Sequence, residues 1–325
     1  MGKRADSVVV RSLRRALVLL CVCAYAANAQ SATRVRVDND AFNFWLAPWD
    51  RPDEEYSSGV QLAVDWAGPA FWSKRLAHDA LGCSAGRDRC ISHTLTLGQD
   101  IYTGARSIRE PTPSAGSRPD AGVLWIRESQ RVARADRLDE LSVTLGVTGE
   151  PALAGTTQRI VHGYAPDYQR PIDWSHQLPF EPVIGLDYDQ RRLVTTGDVE
   201  LQPHAGASVG NLLTEARAGI GARFGRNLRE PFRPLSRADR LEVALSGDAT
   251  VRAVARNEVL SGLLFSGAGP HVTLRTIVPE FQVGLSARYG AIAVSYVVHQ
   301  TGPEYTTRRG AHQWSTIQLD WQFAR

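Results

Sequence analysis

Through most of the chain, apolar and polar residues trade places at every second position. That is the period of a β-strand whose two faces meet different surroundings. In residues 57–66, Val60, Leu62, Val64 and Trp66 share one face, and Gln61 and Asp65 share the other. In 290–300, Ile292, Val294, Tyr296 and Val298 alternate with smaller or polar neighbours. In 315–325, Ile317, Leu319, Trp321 and Phe323 alternate with Gln318, Asp320 and Gln322. Further strand-like runs lie near 34–40, 91–101, 120–132, 139–148, 182–194, 197–209, 211–225, 238–255, 256–264 and 270–288. A strand with its connection uses roughly 20–25 residues in a membrane barrel, so the chain holds about twelve strands. Residues 150–181 break the rhythm, and 154–163 predict a short helix. Long structured insertions between strands usually carry function.

Alternation alone also suits a soluble periplasmic β-protein. Acids on the minority face, Asp65 and Asp320, together with aromatics near strand ends and Phe323 close to the C-terminus, point to a membrane barrel. Such barrels are apolar outside and polar inside. Past the N-terminal segment no run offers 18 uninterrupted apolar residues. A chain of this kind enters a bilayer only as a closed barrel, where every backbone group is paired. The expected fold is all-β, a transmembrane antiparallel β-barrel with a short helical insertion in one extracellular loop.

Residues 1–29 have the layout of a cleaved signal peptide: Lys3, Arg4, Arg11, Arg14 and Arg15, an apolar stretch from Ala16 to Ala27, then Ala27-Asn28-Ala29. Leu20 and Val22 precede Cys21 and Cys23 where a lipid anchor requires a small residue. Of the 37 basic and 34 acidic residues, this segment holds five and one, leaving 32 and 33 in the single domain 30–325. The mature chain is nearly neutral, which excludes a nucleic-acid footprint. Cys83 and Cys90 read as a local disulfide on the periplasmic side, after the second strand, with two free thiols as the alternative.

Three places could carry chemistry. Asn39 and Asp40 pair an amide with a carboxylate at the end of the first strand. These are hard oxygen ligands suited to Ca²⁺, or a solvated polar cap. Gln158 and His162 stand four apart, so a helix places both on one face. An imidazole accepts a proton near neutral pH, and an amide can donate to a developing oxyanion. Ser57 could hold substrate or water, act as a nucleophile with His162, or simply end a strand.

The segments VDNDAF, EEYSSGVQL, GQDIYTG, SRPDAGVLW, QRIVHG with the following DWSHQLPFEP, and VGNLLTEARAG occur in that order. In this the chain resembles the lipid A 3'-O-deacylase (LpxR) family over nearly the whole mature sequence. The resemblance implies an outer-membrane hydrolase that removes the 3'-linked acyloxyacyl chain of lipid A from the lipid-facing side of the barrel. It implies His162 as general base, Gln158 beside it, and a Ca²⁺-related role for Asn39 and Asp40. Ser57 takes a position where the family usually has threonine. Arg109 falls where one member has a lysine and could receive a lipid A phosphate, with Arg106 as the alternative. That member has a glutamate six residues beyond its histidine; here Tyr168 stands there, and Asp167, one earlier, could replace that acid at the substrate site if the loop shifts by a residue. The partners implied are lipopolysaccharide and the outer membrane, with the protein a monomer. Two other functions fit the residues: an outer-membrane phospholipase or esterase with a Ser–His pair, and a non-catalytic structural or porin-like barrel.

Overall fold

The computed structural model describes residues 31–44, 55–67, 89–106, 112–164, 172–194, 198–229, 231–232, 238–267 and 269–323. The side chains of Ser31, Ala67 and 162–164 are outside that description. Twelve antiparallel strands close on themselves, each bonded to its neighbour in sequence, with β1 bonded to β12. They are β1 (Ser31–Asn39), β2 (Glu55–Ala67), β3 (Arg89–Thr103), β4 (Ala121–Arg134), β5 (Arg137–Thr148) and β6 (Pro182–Arg192). The circuit continues with β7 (Val199–Gly210), β8 (Leu213–Arg226), β9 (Ala238–Asn257), β10 (Ile277–Gly290), β11 (Ile292–Thr301) and β12 (His312–Phe323). Closure leaves no sheet edge, which a hydrocarbon environment requires.

The two faces of the wall follow the sequence pattern. Ile184, Val283 and Trp321 are each more than half exposed on the outside, at 57, 56 and 54 %. Inside, Arg34 donates to Asp320 at 2.7 Å and to Asp65 at 3.2 Å. Arg252 joins Glu215 at 2.7 Å to Glu280 at 2.8 Å, and Arg223 binds Glu200 at 2.9 Å. Charges withdrawn from water in this way persist only when paired. An apolar exterior around a paired polar interior is the inverse of a soluble protein, so the soluble reading falls.

The start of β1 and the end of β12 lie at one rim, here called lower; the loops carrying helices lie at the other. The helical insertion is α1 (Ala154–Tyr164), between β5 and β6, and it matches the expected 154–163. The run 256–264 is not a strand. Its start completes β9, and its remainder forms the single-turn helix α2 (Glu258–Ser261). Val259, Leu260 and Leu263 pack there with inward residues Ala121, Val123, Trp125 and Val183. Four helical residues are too few to show a helical period, so the apolar spacing mimicked a strand. The run 270–288 likewise becomes strand only from Ile277. The packed cluster fills the upper end of the cylinder, which disfavours the porin-like reading. At the lower rim Cys90 is disulfide-bonded; Cys83 lies outside the described residues.

Candidate active site on the outer wall

The first strand ends at the upper rim in Asn39, whose Oδ1 accepts the Ala41 N–H at 2.8 Å and starts a 3-10 turn, Asp40–Phe42. An asparagine satisfies such an orphan donor well. The turn is tied to the last strands: Tyr296 Oη donates to the Phe42 carbonyl at 2.7 Å, Asn43 Nδ2 donates to the Gln313 carbonyl at 3.0 Å, and Ser315 Oγ donates to Asn43 Oδ1 at 2.8 Å. Asp40 is buried in this turn.

Because successive side chains alternate across the wall, adjacent residues of one motif part company. Asp38 points inward and Asn39 outward. Asp100 and Tyr102 point inward; Gln99, Ile101 and Thr103 point outward. In β2 a bulge between Tyr56 and Ser58 sets Ser57 beside Thr103, and the two hydroxyls are hydrogen-bonded. Asn39 is opposite Ser58, Ser58 opposite Ile101, and Ile101 opposite Gly122. A row of positions therefore crosses the outer wall at the upper rim.

Helix α1 docks onto the end of that row. Ala154 and Trp174 pack on Ile101. A side chain at Gly122 would collide with Ala154, and one at Gly155 would collide with Trp174, so two glycines permit the close seat. Gln99 Nε2 donates to the Ala152 carbonyl at 2.6 Å and fixes the approach to the helix. Gln158 is buried, and its Oε1 accepts the Trp174 indole N–H at 2.8 Å. Indole nitrogen only donates, so this contact sets the amide orientation and leaves the Gln158 NH₂ to donate elsewhere. His162 lies one helical turn further along α1; its side chain is outside the described residues. Two inter-strand spacings separate Asn39 from Ile101, roughly 10 Å, so α1 and the end of β1 are neighbours along the rim.

The inward halves of the same motifs interlock behind this surface. Tyr56 Oη lies 2.8 Å from Asp38 Oδ2 and 3.0 Å from Asp100 Oδ1. Asp38 also accepts from Arg36 at 2.8 Å and Thr316 at 2.6 Å, and Trp125 donates to Asp100 at 2.6 Å. Glu55 accepts from Tyr305 at 2.6 Å and Arg118 at 3.2 Å, and Arg118 lies over the Tyr102 ring.

Of the other candidates, Arg106 is nearly buried and clamps its own loop: it pairs with Asp120 and donates to the Gly104 carbonyl at 3.2 Å. Burial pushes the Asp120 carboxyl up, and the Arg106 guanidinium opposes this. Arg109 and Asp167 lie outside the described residues. Trp174, Thr103 and Gln99 were not singled out in the sequence. Trp174 stands within the DWSHQLPFEP motif, which was its only signal.

Among the described residues no group of three or more His, Cys, Asp and Glu converges on a metal position. The oxygens of Asn39 and Asp40 are hard donors without a soft ligand, which suits calcium rather than zinc. One lone pair of Asn39 already serves Ala41.

A closed barrel with an apolar exterior, and a polar cluster on its outer rim under a docked helix, defines an outer-membrane protein whose candidate site faces the lipid side. A family model described as "Outer membrane protein LpxR" matches residues 13–323, and the chain belongs to this family. The solved structure of LpxR from Salmonella typhimurium is similar, with TM-score 0.71 at 17% identity over 90% of this chain and 100% of that one. More distant is the β domain of the Bordetella autotransporter BrkA, with TM-score 0.47 at 11% identity over 90% and 98%. No curated protein matches the chain.

Proposed function

We propose that the protein is a carboxylic ester hydrolase that removes the 3'-O-linked acyloxyacyl chain from lipid A in the outer membrane, after export behind a cleaved signal peptide. The observation that carries this reading is the seat of α1, bearing Gln158 and His162, on the lipid-facing wall beside Asn39 and Ser57 in a chain of the LpxR family. His162 takes a proton from water, and the resulting hydroxide adds to the ester carbonyl. The tetrahedral intermediate expels the 3'-oxygen, which regains the proton from His162. The products are the free acyloxyacyl acid and a 3'-hydroxyl. Gln158, its oxygen held by Trp174, turns its amide N–H toward the developing oxyanion. Calcium, when bound, would be held by Asn39 and Asp40 and would add charge stabilisation of several kcal/mol. Arg109 is positioned in sequence to meet a phosphate of the lipid A head group.

The described hydroxyl partner of Ser57 is Thr103. That bond favours a positioning role for Ser57 over the competing Ser–His nucleophile. Mass spectrometry of lipid A tests the proposal, using wild type, His162→Ala, and wild type with chelator. Wild type should shed one acyloxyacyl group, and both other arms should retain it. Loss of the acyl group in all three arms rules out the mechanism.

A further inference from the structure

A concavity lies between residues 150–159, which lead into and begin α1, and residues 174–180. Its volume is about 720 Å³. Thr156, Arg159, Trp174, Ser175, Gln177 and Phe180 line it. Its position sets the kind of ligand it meets. The wall pairing of β4 and β5 ends at Val123 and Thr148, and the cavity is built from residues beyond that point. It therefore opens into the head-group layer rather than the hydrocarbon.

The lining combines the exposed Phe180 ring and a mostly buried Trp174 with hydroxyl, amide and guanidinium groups, the Glu150 carboxylate, and the aliphatic Pro151, Leu153, Leu178 and Pro179. A sugar ring matches this combination, with C–H faces for aromatic contact and hydroxyls that both donate and accept. Gln177 lines the cavity as well, and its amide can both donate to and accept from a sugar hydroxyl. Phe180 meanwhile offers an exposed ring at the cavity mouth. Trp174 belongs to both sites, since its ring lines the cavity while its N–H holds Gln158.

We infer that this cavity is a saccharide subsite, taking a hydroxylated sugar of the lipopolysaccharide head group outside its acylated part. The inference rests on the deacylase reading for the identity of the whole substrate, but binding is measurable without turnover. The probe is the lipid-free oligosaccharide released from lipopolysaccharide by mild acid, presented to His162→Ala protein in detergent. Saturation-transfer NMR should label sugar protons, and Gln177→Ala or Phe180→Ala should abolish the transfer. Both side chains sit on a loop outside the wall; retained heat-modifiable mobility on gels confirms that the barrel has folded.

A kinetic arm compares core-bearing lipopolysaccharide with free lipid A. Gln177→Ala should raise KM about tenfold for the first, the value of one charge-neutral hydrogen bond of about 1.4 kcal/mol, and leave the second within about twofold. Absence of transfer, transfer from glycerophosphoethanolamine instead, or equal KM changes on both substrates would overturn the subsite. Saccharide binding by a protein that never deacylates would remove the hydrolase reading and leave the subsite standing.

Discussion

The indole N–H of Trp174 reaches the Oε1 of Gln158 at 2.8 Å, and that contact joins the segment after α1 to the helix carrying the proposed general base. Trp174 itself rests on Ile101 and Ala154, so the barrel wall, the helix and the amide form one stack. Trp174→Phe keeps most of the apolar ring and removes the donor. Gln158 then loses its orientation, and its buried oxygen is left unsatisfied. One such hydrogen bond is worth about 1–1.5 kcal/mol, so kcat for lipid A should fall about tenfold with little change in KM. Gln158→Glu in the same background offers a readout that a purely structural role would not move. A carboxylate there cannot donate to an oxyanion, so activity should fall further.

The seat of α1 makes a separate prediction, because it depends on a missing side chain. At Gly122 a Cβ would meet the Ala154 Cβ well inside contact distance. Gly122→Val should push α1 off the outer wall without touching the interior hydrogen bonds. The barrel should remain folded, judged by heat-modifiable gel mobility, while deacylation drops by about two orders of magnitude from misplacement of about 1 Å. If activity survives at half the wild-type level, the seat does not position the helix.

Much of this was legible in the sequence, for a physical reason. Strand periodicity of two is local, so Val60, Leu62 and Val64 against Gln61 and Asp65 announced both the strand and its two environments. The length of the 150–181 interruption announced the helix. Partners brought in from distant strands were invisible. Nothing near Asp38 in sequence indicates Thr316, and nothing near Glu55 indicates Arg118 or Tyr305. The alternation of the wall also divides each motif, sending Asp38 inward while Asn39 faces out. Motif order alone could not separate residues facing the substrate from those holding the strands beneath it. The plug at 258–263 was misread because one helical turn and a short strand show the same apolar spacing.

That inward network has its own consequence. Tyr56 has one hydroxyl proton and two carboxylate neighbours, Asp38 and Asp100. Asp38 already receives Arg36 and Thr316, whereas Asp100 receives only Trp125 among its other described side-chain contacts. Asp100→Asn satisfies every group: its oxygen accepts from Trp125, its NH₂ donates to the Tyr56 oxygen, and the tyrosine proton goes to Asp38. This variant should keep wild-type thermal stability or gain slightly. Asp38→Asn instead removes the charge that Arg36 faces and should cost on the order of 2 kcal/mol. Thermal unfolding in detergent distinguishes the two, and equal losses would refute this assignment of donors.

The plug introduces a pH dependence through Glu258. Its Oε2 accepts from Asn211 Nδ2 at 2.8 Å, while Oε1 is buried without a partner among the described residues. Burial and the neighbouring Glu181 push its carboxyl up to about 7, against the pull of Arg256. Glu181 is shifted the other way: burial raises it, but the N–H groups of Leu264 and Phe265, both at 2.9 Å, hold it net below the usual range. A carboxyl raised in the folded state holds its proton more tightly there than in the unfolded chain. Its contribution to stability is therefore fully present at acid pH, shrinks as the pH climbs from about 4.5 to about 7, and is constant beyond. Glu258→Gln supplies an uncharged donor toward Glu181 at every pH. Relative to wild type it should be level near pH 4.5 and more stable at pH 8, by about 2 kcal/mol. Glu181→Gln should behave oppositely and lose stability at pH 8, because the loop N–H groups lose their charged acceptor. Calorimetry of both variants across this range checks the signs, and a Glu258→Gln curve parallel to wild type from pH 4.5 to pH 8 would show that this carboxyl does not titrate with folding.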